Sequence, residues 1–395
     1  MKVFAVLALI FALASAEVYF NEKFEEGYEK RWVKPTNWRE SSQMGTWKWT
    51  AGQWYADVND KGIQTSPDAR FHGYSAKMDK VFDNENKDLV LQYSAKYEQE
   101  IDCGGAYIKL LPDGIDQESF GGDAPYAIMF GPDVCGSEKR KTHIIFGYKG
   151  KNLEAKKNFR AVVDQLSHLY TLIIHPDNTY EYLIDGAKEN SGSLYDEWDF
   201  VLPREIADPS AKKPEDWVDE AEIVDPEDKK PEDWDDQPAE IADPDAKKPD
   251  DWDDEDDGDW EAPMIANPEY KGEWTPKKIP NPEYKGEWKA PMIANPDFVD
   301  DETIYHVCKN CNYVGFELWQ VKSGSIFDDI LVTDDVQVAA QAAEAFNVKA
   351  KAEKAMYESI KEVERKKAEE ESAKAAEAEK SEPQEEEEED NEEEL

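Results

Sequence analysis

Cations are scarce in this 395-residue chain. It has 46 Lys and Arg against 90 Asp and Glu, a formal net charge of −44. Such a surface repels nucleic acid and anionic lipid and attracts cations or cationic partners, so nucleic-acid binding is not expected. Long apolar runs are missing too. Beyond the N-terminal segment no stretch approaches the 18 apolar residues of a membrane span. The five histidines, His72, His143, His168, His175 and His306, lack metal-ligand spacing. No nucleophile–base pair is visible either. Some β-sandwich glycoside hydrolases carry Glu-x-Asp-x-x-Glu on one strand. Here Glu100-Ile-Asp102-Cys-Gly-Gly105 has glycine at the third acid, and the chain is not read as an enzyme.

What is present begins with a targeting signal. Lys2, the apolar run Val3 to Leu13 and the small-residue site Ala14-Ser15-Ala16 read as a signal peptide over 1–16, leaving a chain that starts near Glu17 in the secretory pathway. An oxidising compartment favours bridges among the four cysteines. We pair Cys103 with Cys135. Cys308-Lys-Asn-Cys311 has three readings. A redox pair would need a strand-to-helix setting and a metal site would need more ligands; a local disulfide is preferred.

Residues 17–203 read as mostly β. Runs of strand character recur at 88–95, 106–111, 126–130, 142–148, 168–174 and 179–184, separated by turn signals such as Pro112-Asp-Gly and Pro176-Asp-Asn. Many short strands without intervening helices imply a sandwich. Two more, at 315–321 and 325–332, are expected to rejoin it, so that 299–335 is a second segment of one globular domain. From 336 to 370 the Ala/Glu/Lys pattern, with Asp334 and Asp335 as N-cap candidates, predicts a helix. The tail is set at 371–395, and its last 14 residues, ten of them carboxylates, are too acidic to fold alone at neutral pH.

Between these segments, 204–298 repeats itself. Ile206-Ala-Asp208-Pro209 followed by Lys-Pro-Glu-Asp-Trp217 returns at Ile223…Trp234 and Ile241…Trp252. A second unit, Gly-Asp/Glu-Trp followed by Asn-Pro, then recurs at Trp260, Trp274 and Trp288. The stretch holds 14 of the 22 prolines and six of the 13 tryptophans. Proline breaks helices and central strands, and units this short must stack on partners. We expect an out-and-back hairpin arm, pairing the third copy of the first kind with the first copy of the second, with a Trp cluster in each pair.

This pair of repeats resembles the proline-rich arm of the calreticulin/calnexin family, lectin chaperones of the endoplasmic reticulum. Gly62-Ile-Gln-Thr-Ser-Pro-Asp-Ala-Arg-Phe, Met129-Phe-Gly-Pro-Asp-Val-Cys135 and Leu318-Trp-Gln-Val-Lys-Ser-Gly carry the likeness through the globular segments. It implies a concanavalin-like β-sandwich (jelly roll) interrupted by the arm and a site for monoglucosylated high-mannose N-glycans; a monomer is expected, and the lack of a long apolar run separates the chain from calnexin, to which the family comparison gives a membrane span. Tyr107, Lys109, Tyr126, Met129, Asp133 and Trp319 match the family's sugar site by type. Glu317 stands where the family usually has Asp, one methylene longer. Tyr and Trp faces stack on sugar C–H surfaces, and Lys and carboxylates bond hydroxyl pairs; on pattern alone the same alternation suits a solvated strand face.

The resemblance also implies a tight Ca²⁺ site formed by the Asp328 carboxylate and backbone carbonyls near Lys23, Asn59 and Lys61, an oxygen set that suits this ion. The tail would add weak calcium sites. At the arm tip, Glu255, Asp257, Asp259 and Trp260 align with residues that hold an oxidoreductase of the protein disulfide isomerase family, with a prolyl isomerase as a second candidate. The chain ends Glu392-Glu-Glu-Leu395 rather than in a standard retrieval signal, so both retention in the reticulum and secretion are open. The competing function is a calcium-buffering or secreted interaction protein with a vestigial sugar site.

Overall fold

The computed structural model of the chain describes residues 17–381, except 235–236, 250–251 and 253–257, and side chains as far as 374. The expected signal peptide, Glu255 and Asp257 of the arm tip and the end of the acidic tail lie outside the described residues.

Two sheets form a sandwich. The first runs, edge to edge, Ala187–Ser193, Thr179–Ile184, Ser167–Ile174, Leu89–Tyr97, Ser325–Thr333, Gly62–Ser66 and Thr46–Thr50, with Val18–Glu22 also paired to Ser325–Thr333. The second runs Lys151–Glu154, Lys139–Tyr148, Ile128–Cys135, Cys103–Gly105, Cys311–Gln320, Arg70–Phe82 and Trp32–Val33; Ile108–Pro112 joins Cys311–Gln320 to Ile128–Cys135. Each sheet thus contains one strand from after the repeats in its middle. Aromatic rings fill the space between the sheets: Phe316 lies 4.6 Å from Phe327, and Tyr93 packs edge-on to Phe130 at 6.0 Å. Such contacts add about 0.5–1.5 kcal/mol each beyond the area they bury.

Leu89–Tyr97 is buried at every position, although Gln92, Ser94 and Lys96 occupy one of its faces. A helix covers that face. The Gln92 amide nitrogen donates to Thr171 Oγ1 (2.8 Å) and to the Ala339 carbonyl (3.2 Å), so its buried N–H groups are bonded.

The helix runs Val336–Ser381. Asp335 caps it, its carboxylate accepting from the Gln337 N–H at 2.7 Å. Ala339, Ala343 and Phe346 are buried against the sheet, at the spacing of one helix face. The expected end at 370 is too early. Arg365 pairs with Glu362 and Glu369, and Lys366 with Glu362. These pairs one turn apart, together with good helix formers, extend the helix beyond its buried face.

Residues Pro203–Asp297 form a separate unit. Three two-stranded ladders pair Ile206 with Ile293, Ile223 with Ile279, and Ile241 with Ile265. The Asn-Pro motifs tie them. Asn267, Asn281 and Asn295 each accept from the N–H two residues on, and each donates across to a carbonyl, of Pro238, Glu220 and Pro203 respectively. The expected Trp clusters take another form. Trp217, Trp234 and Trp252 donate their indole N–H to Gly286, Gly272 and Gly258 at 2.8–2.9 Å. Lys285 and Lys271 lie over two of these rings, and among the described residues no two arm tryptophans stack. All three glycines have φ between +79° and +87°, a conformation glycine adopts without strain. The carbonyl is thereby available to the indole, which explains why Gly opens each second-type unit.

Candidate functional site

The outer face of the second sheet collects most of the expected sugar residues. Glu317 and Trp319 alternate with the core residues Phe316 and Leu318 on Cys311–Gln320, so both point away from the core. On the neighbouring strand Lys109 stands opposite Gly315 on one side and Met129 on the other. Its ammonium reaches Glu317 at 2.9 Å and lies 5.0 Å from the centre of the Tyr126 ring. Lys109 is 2% exposed, which makes this a buried ion pair. Its worth lies in holding one geometry more than in net stability. Gly122 leaves the carboxylate accessible: a Cβ there would sit 3.6 Å from Glu317 Oε1.

Trp319 is 39% exposed, with its ring 4.6 Å from Phe71, its cross-strand partner. An aromatic face is therefore available to solvent but fixed from behind. Met129 and Tyr126 are half-buried beside Lys109.

Tyr107 lies just before the strand Ile108–Pro112 rather than within it. Its ring covers Gly105, where a Cβ would come within 2.4 Å. Asp133 faces Gly105 across the ladder, two positions from the bonded pair Cys103–Cys135. Asp133 is already engaged by His143 at 2.9 Å and Lys139 at 2.5 Å. Burial would raise its carboxyl, but these hydrogen bonds outweigh that and hold it below the usual carboxylate range. Burial, then the charges of Glu317 and Asp133, push the Tyr107 phenol up. Burial, then Glu154 and Glu317, do the same for Tyr126. The face thus offers two protonated phenols as donors and two carboxylates as acceptors. That combination is suited to a polyol.

Sequence reasoning missed Phe71, Gly122, His143 and Lys139. Phe71 lies on Arg70–Phe82, a strand with no clean alternation. His143 was visible only as a strand residue without metal spacing, and Lys139 lies before the expected strand at 142–148, in the observed strand Lys139–Tyr148.

The expected calcium residues gather at an irregularity in the first sheet. Val18–Glu22 pairs with Ser325–Thr333 from Ile330 onward, and Gly62–Ser66 pairs with it up to Phe327. Asp328 and Asp329 occupy the gap, and the chain positions bordering it are Lys23 and Lys61. Asp328 Oδ1 is buried and has no hydrogen-bond partner. Burial, then the neighbouring Asp329, push its pKa well above the carboxylate range. Lys23 reaches Asp329 at 3.9 Å, and the Lys61 ammonium turns away over the Trp49 ring. Asn59 is exposed and bonds Asp57. A cavity of about 50 Å³, lined by Asp57, Asp60, Asp328, Asp329 and Lys349 among others, adjoins them. Among the described residues no three His, Cys, Asp or Glu side chains converge as a metal cluster. A cation here would draw most of its ligands from the backbone, and the orphaned Asp328 oxygen fits that need.

Cys308 and Cys311 are bonded to each other and buried. At the arm tip Asp259 is exposed and Trp260 half-buried. Among the described residues no helix is long and apolar enough to cross a membrane.

Comparison with known proteins follows the same outline. A sequence model of the Calreticulin family matches residues 20–258 and 254–332. A calreticulin of Chlamydomonas reinhardtii is 59% identical over 364 residues, covering 91% of this chain and 86% of that protein. One of Entamoeba histolytica is 54% identical, covering 92% of each. Among solved structures, the globular domain of T. cruzi calreticulin is 31% identical with a TM-score of 0.63, covering 88% of this chain and all of that one. With a two-sheet sandwich, a paired-repeat unit, and relatives more than half identical along nine-tenths of its length, the chain belongs to the calreticulin family.

Proposed function

We propose that this protein is a calcium-binding lectin chaperone of the endoplasmic reticulum lumen that binds monoglucosylated high-mannose N-glycans on newly made glycoproteins. The observation that carries the reading is the Lys109–Glu317 pair, held at 2.9 Å beside Tyr126 and on the same face as the exposed Trp319. Glu317 accepts from vicinal hydroxyls and the pair keeps its carboxylate in place. The protonated Tyr107 and Tyr126 donate, and Trp319 stacks on a C–H face. No step breaks or forms a covalent bond.

Asp328 and the carbonyls of Lys23, Asn59 and Lys61 would hold one tight Ca²⁺. The ion supplies the positive charge the buried Asp328 oxygen lacks, and it would pin three strands at the gap between them. Weaker calcium binding belongs to the acidic tail. The arm tip, with Asp259 and Trp260 among the described residues and Glu255 and Asp257 outside them, would recruit a disulfide isomerase-type oxidoreductase or a prolyl isomerase. Charge would set the on-rate and Trp260 would anchor the complex. Loss of that binding in Trp260→Ala, read from the partner's chemical shifts, checks this part.

The central test is calorimetric titration with a monoglucosylated high-mannose oligosaccharide. We expect binding to the wild type, and at least a tenfold loss, about 1.4 kcal/mol, in Trp319→Ala with the fold intact. Equal affinity in that variant removes the site assignment. No binding by the wild type leaves calcium buffering, with a vestigial sugar face, as the function.

A further inference from the structure

The calcium pocket has a cation of its own. Lys349 projects from the C-terminal helix, and its ammonium lies 2.8 Å from Asp60 and 3.2 Å from Asp329. Asp329 is the immediate neighbour of Asp328, whose buried oxygen has no partner. Lys349, Asp60, Asp328 and Asp329 line the same cavity. The other charges nearby are Asp57, which lines the cavity, Lys23, which reaches Asp329 at 3.9 Å, and the Lys96–Glu98–Glu353 group, of which Lys96 and Glu353 also line the cavity and Lys96 lies 3.2 Å from Glu98 and 3.7 Å from Glu353. Lys96 is thus neutralised by its own partners, whereas Lys349 spends its charge on the pocket. Burial disfavours the ammonium, but the charge of Asp329 and the hydrogen bond to Asp60 outweigh this, so it stays charged.

Lys349 is not a loose surface lysine. It lies within the seated part of the helix, between Phe346, buried on the sheet, and Glu353, which accepts from the Ser167 N–H and hydroxyl at 2.8 and 2.7 Å. One turn further on, Tyr357 packs edge-on to Trp54 at 4.9 Å. The helix therefore delivers the ammonium to a set place.

We propose that Lys349 is a built-in counter-ion of the calcium pocket, held by Asp60 and Asp329 beside the Asp328 carboxylate, where its charge opposes that of Ca²⁺ and so couples calcium affinity to the seating of the C-terminal helix. The inference rests on the calcium reading above. A divalent ion at Asp328 repels an ammonium held on the adjacent Asp329, and the ammonium lowers the ion's affinity in turn. Linkage makes the two effects equal in size. The helix would then report pocket occupancy to whatever follows it in the chain.

The test measures calcium binding to the full chain by equilibrium dialysis at low micromolar calcium, where the weak tail sites stay empty. The wild type should show one tight site, lost in Asp328→Asn. Lys349→Gln should tighten that site on the order of tenfold, within the usual range of such couplings. Lys349→Arg should match the wild type. Lys354→Gln, which removes the same charge from an exposed position on the same helix, should also leave affinity unchanged. Hydrogen exchange gives a second readout: calcium should speed exchange of the wild-type amides around 349–353, and this effect should vanish in Lys349→Gln. Unchanged or weaker binding in Lys349→Gln, equal tightening in Lys354→Gln, or helix exchange indifferent to calcium overturns the inference. Absence of any tight site in the wild type instead removes the calcium reading beneath it.

Discussion

Lys109 and Glu317 lie 208 residues apart in sequence, and each is unremarkable alone. Together they form a buried pair whose members cannot be removed separately without penalty. Glu317→Ala leaves a 2%-exposed ammonium without a counter-charge and should cost about 3–5 kcal/mol in urea unfolding. Lys109→Met combined with Glu317→Leu should recover most of that loss, while sugar binding stays absent. A destabilisation in the double variant as large as in Glu317→Ala would show that the pair is not the cause. His168 supports a pH prediction. It bonds Asp185 at 2.8 Å and Asp164 at 3.0 Å. Burial lowers its pKa, but the two carboxylates outweigh this and raise it to about 9 from the ordinary 6.5. A raised folded-state value means the stabilisation is fully present below pH 6.5 and is lost as pH rises through 9. The stability gap between wild type and His168→Gln should therefore be widest near pH 6 and close by about pH 9.5, as read by thermal melts. A gap that widens with pH would contradict the assignment.

Elements were legible to different degrees. The strands at 168–174 and 179–184 were clear because each is rich in β-favouring residues, with Glu181 the one charged residue in the second. Arg70–Phe82, the longest strand at 13 residues, was not. It mixes Gly, Ser, Lys and Asp with its apolar positions, and only its pairing with Cys311–Gln320 explains them. The arm was readable in its pairing order but not in its contacts. Trp234 binds a glycine carbonyl instead of another ring, because Gly272 with φ +79° turns that carbonyl outward. Gly272→Ala should strain the backbone by about 1–2 kcal/mol, and Asn267→Ala should remove both a turn bond and a cross-limb bond. Either change should shift the Trp234 indole proton while leaving those of Trp217 and Trp252 nearly in place, because the three ladders form their own bonds. A uniform shift of all three would show instead that the ladders melt as one.

At the scale of the molecule, calcium is expected to act as a stabiliser of the sandwich. Val18–Glu22, Gly62–Ser66 and Ser325–Thr333 meet at the Asp328–Asp329 gap, so an ion there ties three strands of one sheet. At one hundred times its dissociation constant a native-state ligand adds about 2.7 kcal/mol. The melting temperature of the wild type should rise with calcium at micromolar levels, and Asp328→Asn should be indifferent. An equal rise in both would place the stabilising ion elsewhere.

The sequence by itself determined the class of the chain. Strand-rich runs, a proline-dense double repeat and a net charge of −44 are local or summed properties, and they survive without knowledge of any contact. Repeats also encode their own partners: Ile241 meets Ile265 because each limb must find the copy with which it can share hydrogen bonds. Tertiary structure decided what those properties leave open. The sugar face draws Lys109 and Trp319 from segments on either side of the repeats, and only the strand order makes them neighbours. Asp328 is an ordinary aspartate until two strands end beside it and bury its oxygen. Lys349 is one lysine of many until the helix is seated, and its charge then falls among three aspartates. Electrostatic roles of this kind depend on distance and desolvation, which no periodicity in the chain records.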